Sequence, residues 1–237
     1  MALIHHVTLK PGKLELLAGW LPGRPWYVGK GDEAELAKVG GFRLDDPDGA
    51  VGIEFIVVTD WSGDEPVSYQ VPLSYRDAPL DGADHALVGT TEHEVLGRRW
   101  VYDGTHDPVV VAQLLALIRG EARAQDQSVS HTPDPTVTTF FGGSGGPRPG
   151  PIRSTRVTDG TYGTRLLVRT AAAPSAGARP VPDTGLTVLL NRVLRPGEDD
   201  AAARAEQPLG YVSAAWLLPD GTTARDLFAV VDAAPSP

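Results

Sequence analysis

Residues 24–30 bring together the side-chain types that proteins use to bind sugars. Trp26 and Tyr27 are adjacent aromatic residues. A cation stands on either side of this pair, Arg24 before it and Lys30 after it. Aromatic faces can stack on sugar rings while charged donors reach the hydroxyl groups. We therefore predict a carbohydrate-binding group here; the competing interpretation is that both rings pack between the first helix and the sheet.

Carboxylates and histidines form a second group of candidates. His93 stands between Glu92 and Glu94, and Asp103 precedes His106 by three residues. Such carboxylates could serve as acids or bases in a small carbohydrate-active enzyme, a glycan hydrolase or a sugar transferase. The separation of paired acids is a three-dimensional quantity that sequence does not give. A metal site needs three or four convergent ligands, so we assign no catalytic residue and no metal ligand.

The glycine-rich and acidic loops do not predict a cofactor. The stretch Gly142–Gly146 is followed by prolines and by no lysine, whereas a phosphate-binding loop leads into a helix that usually begins with lysine. The acidic turn Asp45–Gly49 lacks the alternating spacing and distal glutamate of a calcium loop. We interpret the first as a linker and the second as a solvated turn, and we predict no bound cofactor.

Composition limits the classes of partner. The 237 residues carry a formal net charge of −9, which disfavours binding to nucleic acid or to an anionic membrane surface. The absence of cysteine excludes disulfides and thiol chemistry. Residues 1–9 have no basic leader and no apolar run approaches about 20 residues, so we expect a cytoplasmic protein without a membrane span.

The elements that must position these candidates follow from periodicity and turn signals. A short helix with leucines on one face runs from Pro11 to Pro22. A second helix begins after Asp107, a favoured N-cap, with Pro108 at its first position. Strands are predicted in this first part of the chain at Ala2–Leu9, Leu36–Leu44, Val51–Thr59, Val67–Tyr75, Ala86–Thr91 and Arg98–Tyr102.

The rest of the chain is predicted to be an all-β unit with two inserts. Ala171–Asp183 and Gly197–Pro208 are predicted to be mobile loops, and Pro219–Gly221 is predicted to be a hairpin turn. Strands are predicted at Thr136–Phe141, Ile152–Thr158, Arg165–Arg169, Leu186–Val193, Tyr211–Leu217 and Leu227–Val231. We therefore divide the chain into an α+β domain over residues 1–130, a Gly/Pro-rich linker over 131–151 and a small β-rich domain over 152–237.

Short motifs in the first half resemble the N-terminal cap domain of actinobacterial maltokinases. The motifs lie at Arg24–Lys30, Tyr69–Leu73, Trp100–Asp103 and His106–Pro108. They resemble the Arg-Trp-Phe-x-x-Lys stretch, the Tyr-Gln-x-Pro-Leu hairpin strand, and the strand and helix start that close the cap. The resemblance implies a cystatin-like antiparallel sheet with two helices for this half, followed by the small mostly-β domain.

The chain departs from the maltokinase pattern where phosphate transfer would take place. Maltokinases are kinase-like enzymes that phosphorylate maltose with ATP and magnesium, between trehalose and α-glucan. Kinase-like transfer needs an N-lobe lysine and a catalytic-loop aspartate. Lys38 is the last lysine, and no His-Arg-Asp or His-Gly-Asp segment occurs. The β-like sequence after the cap also leaves no room for a large helical lobe.

We therefore expect a non-catalytic cap-like protein, a binding or regulatory module linked to trehalose, maltose, glycogen or other α-glucan metabolism. Its partner is expected to be another protein or a maltose-like sugar. Two alternatives stay open. One is the small carbohydrate-active enzyme that uses the carboxylates near Glu92–Glu94 and Asp103. The other is a structural subunit that docks on a protein or on a second copy through an exposed sheet edge.

Overall fold

The computed structural model describes residues 9–30, 32–129, 131–142, 152–171, 184–196 and 208–234. Almost all of the predicted first strand and of the inserts near residues 171–183 and 197–208 lies outside these described residues. The same holds for most of the glycine- and proline-rich stretch near residue 145. The predictions made for those segments stay predictions.

The first half contains two helices and six strands. Helix α1 covers Lys13–Trp20 and continues in a 3₁₀ turn at Leu21–Gly23, and helix α2 covers Pro108–Ile118. The strands are β1 Leu9–Lys10, β2 Leu36–Leu44, β3 Gly52–Asp60, β4 Val67–Arg76, β5 Leu87–His93 and β6 Gly97–Asp103. Apart from the first strand, the predicted elements are thus confirmed to within a few residues at their ends.

The second half is built from strands alone among the described residues. They are β7 Thr138–Phe141, β8 Ile152–Asp159, β9 Gly163–Thr170, β10 Thr184–Asn191, β11 Val193–Leu194, β12 Gly210–Leu217 and β13 Thr223–Ala233. β7 lies inside the predicted linker, and it forms because its backbone pairs with β12. The predicted hairpin turn at residues 219–221 joins β12 to β13.

The start of α2 shows how local sequence fixes one of these elements. The Asp107 side chain accepts a hydrogen bond of 2.9 Å from the backbone N–H of Val109. Pro108 occupies the first helical position, where a missing N–H costs nothing. Arg76 donates two hydrogen bonds to the same carboxylate, at 2.7 and 2.8 Å. The helix is therefore capped and anchored to β4 by one aspartate.

The strand pairings are antiparallel and form a closed circuit. β4 pairs with β3, β3 with β2, β2 with β12, β12 with β13 and β13 with β10. After Arg192 the chain of β10 continues as β11, which pairs back onto β4. β8 ends the sheet on one side, beyond β9, and β5 with the short β1 ends it on the other.

The link between β2 and β12 depends on a close approach at one glycine. The only paired residues of these two strands are Gly40 and Trp216. A Cβ atom added at Gly40 would lie 2.9 Å from the Cβ of Trp216, closer than real Cβ contacts. Glycine therefore permits the contact that closes the circuit.

The two faces of β3 belong to two hydrophobic clusters. Phe55 faces a large cluster in which its ring stacks on Phe42 at 4.8 Å, and Phe42 in turn contacts Phe228 at 6.0 Å. That cluster also takes in α2. Ile56 faces a smaller cluster with α1 and Trp26. Because Phe228 comes from β13, residues from both halves of the chain pack together in the large cluster.

These features define an antiparallel, sheet-rich α+β fold with two short helices. The further likeness to cystatins, and the division into two domains, stay predictions. No helix among the described residues has the length and apolar character needed to cross a membrane.

Candidate functional site

The structure places Trp26 in the core and not on the surface. Its side chain is 0% exposed and belongs to the cluster that contains Leu17, Ile56 and Val58. Its ring meets Trp20 edge-on at 5.9 Å. A sugar cannot stack on a ring that is enclosed on all sides, so Trp26 takes the competing role of a packing residue.

The other three predicted sugar-binding residues make separate contacts. Tyr27 stacks on Tyr69 at 5.7 Å, and its hydroxyl donates to Asp60 Oδ2 at 2.8 Å. Arg24 lies over the ring of Trp20, 4.6 Å from its centre. Lys30 is exposed and forms an ion pair with Asp64. The four residues thus form no common platform, and a binding role for them stays a prediction.

The predicted acid and base candidates are also dispersed. Glu92 forms a surface ion pair with Arg98 at 2.8 Å. His93 Nδ1 accepts hydrogen bonds from the backbone N–H groups of Val95 and Leu96, at 3.2 and 3.1 Å. Asp103 is only 4% exposed. Among the described residues, no three histidine or carboxylate side chains converge as metal ligands.

Asp103 is the centre of a buried ion pair that joins the two halves. Arg192 Nη2 donates to its two oxygens at 2.6 and 2.9 Å, and Arg192 is fully buried. Thr105 adds hydrogen bonds from its backbone N–H and its hydroxyl, at 3.0 and 2.8 Å. Burial acts to raise the pKa of Asp103, but Arg192 and Thr105 outweigh it and hold the pKa below its ordinary value.

The same arginine extends towards the aromatic core. Its Nε donates to Thr164 Oγ1 at 2.8 Å, and its guanidinium carbon lies 4.8 Å from the centre of the Trp26 ring. Cation–π attraction of this kind is strongest where water is excluded. Arg192 therefore links β6, β9 and the Trp26 segment. Asp103 has a structural role as the ion-pair partner of this arginine.

A cleft of about 530 Å³ opens on the other side of Thr105. One wall is the turn before β5, a second is the 3₁₀ turn Gly104–His106 with the start of α2, and the third is β8. The side chains that give it chemical character are Asp81, His85, His106, Arg153, Thr155 and Arg156. The volume lies within the range of about 300–1,000 Å³ that small-molecule sites occupy.

The two histidines of the cleft form a pair. His85 Nε2 and His106 Nδ1 share a hydrogen bond of 3.1 Å, and the rings meet edge-on at 4.6 Å. Burial lowers the pKa of His106, and His85 and Arg192 lower it further, against the opposite influence of Asp103 and Asp159. The lowered pKa favours the neutral form of His106.

β8 supplies the cationic wall. Arg153 and Arg156 are exposed on this strand and line the cleft. Arg156 forms no ion pair or hydrogen bond with any side chain in the described part of the chain. Thr155 Oγ1 is buried and likewise has no hydrogen-bond partner among the residues described. A cleft with unsatisfied donors is able to hold a polar ligand.

The fold and this cleft define an antiparallel α+β protein with a polar site between its two halves. Residues 20–107 match the family model described as the maltokinase N-terminal cap domain. The match covers less than half of the chain and ends at Asp107, the cap of α2. No curated protein matches the chain. The matched segment supplies the histidine walls of the cleft, whereas β8 lies outside it.

Sequence reasoning found one residue of the cleft and missed the others. His106 was a candidate because it stands beside the cap of α2, whereas His85, Thr155 and Arg156 carried no motif. A single signal was available in the sequence: two arginines three residues apart, Arg153 and Arg156, on a predicted strand of an acidic chain.

Proposed function

We propose that this protein is a non-catalytic binding module, linked to maltose and trehalose metabolism, that holds a small ligand in the cleft between its two halves. The cap-domain match supports the metabolic link. The observation that carries the binding role is the buried, unpartnered hydroxyl of Thr155 beside the unpaired guanidinium of Arg156. The regulatory role, the α-glucan context and the cytoplasmic location belong to the same proposal.

The distribution of carboxylates favours binding over hydrolysis. Two-carboxylate glycosidases place their acids about 5–9.5 Å apart across the substrate. Asp81 is the one carboxylate among the described residues that line the cleft. Asp103, the candidate for acid–base chemistry, is held by Arg192 in the interior.

The positions of the lysines favour binding over phosphate transfer. Kinase-like transfer uses a lysine to hold the nucleotide phosphates. Lys13 donates to both oxygens of Glu54 at 2.8 Å, and Lys38 lies 3.9 Å from the same carboxylate. Lys30 pairs with Asp64. None of these three lines the cleft.

Calorimetric titration of the purified protein with maltose, trehalose and glycogen tests the proposal, together with turnover assays with and without ATP and magnesium. We expect saturable binding of a sugar or a sugar derivative and no turnover. The variant Thr155→Phe fills the cleft and should abolish binding. Thr158→Phe, exposed on the same strand but outside the cleft, is the matched control. Turnover of any sugar would replace the proposal with the enzyme alternative.

Association through a sheet edge is a second candidate function. β8 pairs with β9 and with no other strand among the described residues, so one of its edges is open. Arg153 and Arg156 lie on that strand, and charged residues on an edge oppose pairing with another chain. Light scattering that gives the mass of one chain, with no co-purifying protein, would remove this candidate.

A further inference from the structure

We propose that the ligand of the cleft is a phosphate monoester of a small polyhydroxylated molecule, with its dianionic head against Arg156, Thr155 and the histidine pair. The inference rests on the proposed function in one respect: the site is the same cleft. It goes further in naming the chemical class of ligand. Titration with phosphorylated and neutral sugars distinguishes a wrong ligand class from a wrong proposed function.

The charge of the cleft is opposite to the charge of the chain. The protein carries a formal net charge of −9, yet the described lining of the cleft has two arginines and one aspartate. An acidic protein repels anions at long range, so cations concentrated in one concave site create a local preference. This preference favours an anionic ligand over a neutral sugar.

Arg156 has the chemistry that a phosphate head requires. A guanidinium presents parallel N–H donors that match two oxygens of a phosphate. Arg156 is exposed towards solvent and has no carboxylate partner in the described structure. Arg153 lines the cleft from the same strand. The wall provided by β8 therefore suits an anion with several oxygen acceptors.

Thr155 supplies a buried hydroxyl from the same strand. Its Oγ1 is out of contact with solvent and finds no hydrogen-bond partner among the described residues. Buried polar groups are nearly always satisfied, by protein, by water or by ligand. A phosphate oxygen at this position would accept the Thr155 hydrogen and satisfy the group.

The histidine pair adds a donor from the opposite wall. In a neutral pair one ring donates to the other, and the acceptor ring keeps its own N–H on the second nitrogen. The shared bond between His85 and His106 therefore leaves one ring N–H available. The head group would thus accept hydrogen bonds from two opposite walls, which belong to different halves of the chain.

The remaining lining suits the carbon body of the ligand. Val111, Ile152 and Val157 form an apolar wall next to the polar group. Asp81 lies at the turn before β5 and is exposed, where its carboxylate can accept hydrogen bonds from hydroxyl groups. A volume of about 530 Å³ accommodates a small organic phosphate with room for more than its head group.

The test is calorimetric titration at fixed ionic strength with glucose 6-phosphate, inorganic phosphate, sulfate, maltose and trehalose. We expect glucose 6-phosphate to bind more tightly than inorganic phosphate, and inorganic phosphate to compete with it. Arg156→Ser should weaken glucose 6-phosphate by about tenfold or more, and Thr155→Val by several-fold. Arg165→Ser, an exposed arginine on β9 outside the cleft, should leave the affinity unchanged.

The outcomes are separable. If glucose 6-phosphate binds equally well to wild type, Arg156→Ser and Thr155→Val, the inference is wrong. If maltose or trehalose binds and Thr155→Phe abolishes it, while no phosphate binds, the ligand class is wrong and the proposed function stands. If none of the five compounds binds, both are contradicted. Thermal unfolding of each variant checks that loss of binding is not loss of fold.

Discussion

The segment around Trp26 and the cleft beside β8 differ in where their polar atoms point. In the first, the Tyr27 hydroxyl donates to Asp60 and the Arg24 guanidinium lies over Trp20, while Arg24 Nε and Trp26 Nε1, which do not line the cleft, are buried without described hydrogen-bond partners. In the second, Thr155 and Arg156 have none among the described residues. The residue types in the first segment resemble a binding site, but in the second the unused hydrogen-bonding capacity lines a cleft. Unmet hydrogen-bonding capacity therefore indicates a binding site where it lines a cleft that a ligand can enter, and residue type alone does not.

The largest effect should come from the aromatic segment. Trp26→Ala removes a fully buried ring and the cation–π partner of Arg192, and should lower the free energy of unfolding by about 3–5 kcal/mol. Urea denaturation measures the loss. Trp26→Phe, which keeps an aromatic ring in the cluster, should lose clearly less. A wild-type midpoint for Trp26→Ala would mean that this ring does not stabilise the core.

A smaller loss is expected at the ion pair between the two regions. Asp103→Asn keeps a hydrogen-bond acceptor but leaves Arg192 buried without its charge partner, and it should cost about 2–3 kcal/mol at pH 7. The pKa of Asp103 is lowered in the folded state, so the stabilisation is present above about pH 4 and is lost as the pH falls through the folded value.

The pH profile provides the control for this variant. Wild type and Asp103→Asn should converge in stability under acid conditions, because protonation removes the charge that the substitution removes. Denaturation midpoints measured between pH 7 and pH 2 check this. A difference that stays constant over the whole range would show that the charge of Asp103 is not responsible.

Tyr69, beneath the aromatic segment, should resist ionisation. Burial raises the pKa of Tyr69 to about 12, although its hydroxyl accepts a hydrogen bond of 3.0 Å from the Val28 N–H. A free tyrosine ionises near pH 10, so the unfolded chain releases this proton first and stability should fall as the pH rises above about 10. Absorbance titration at alkaline pH, compared with Tyr69→Phe, measures the late component; its absence would contradict the prediction.

The smallest effect on stability is expected in the cleft. Arg156→Ser should change the free energy of unfolding by less than about 0.5 kcal/mol, because its side chain is exposed and unpaired in the described structure. Thermal unfolding beside Arg165→Ser measures the change. A loss comparable to that of Trp26→Ala would place Arg156 among the structural residues and would weaken the contrast between the two regions.

Much of the fold could be predicted because the signals were local. Asp107 and Pro108 fix the start of α2 through contacts within three residues. The single predicted strand Leu186–Val193 is instead divided at Arg192, whose backbone N–H donates to Tyr162 O at 2.9 Å. That division depends on the contact with Tyr162 and on the pairing of β11 with β4, and no pattern within the strand indicates them.

The cleft could not be predicted, since its walls come from distant parts of the chain. His85 and Thr155 meet only because α2 and β8 pack in the same core. The burial of Trp26 could not be predicted for a related reason. Arg192 lies over the Trp26 ring but is remote from it in sequence. The sequence around Trp26 therefore did not indicate that a protein side chain, and not a sugar, contacts this ring.

The closed circuit of strands has a consequence for synthesis on the ribosome. β4 is translated early, but β11, which pairs with part of its edge, is translated much later. In the same way, β2 is translated long before its partner β12. Until then the nascent cap-like half carries open edges and an apolar surface that includes Phe42 and Phe55. A chain terminated near residue 130 would hold this exposed state permanently and would depend on chaperones or a surrogate strand.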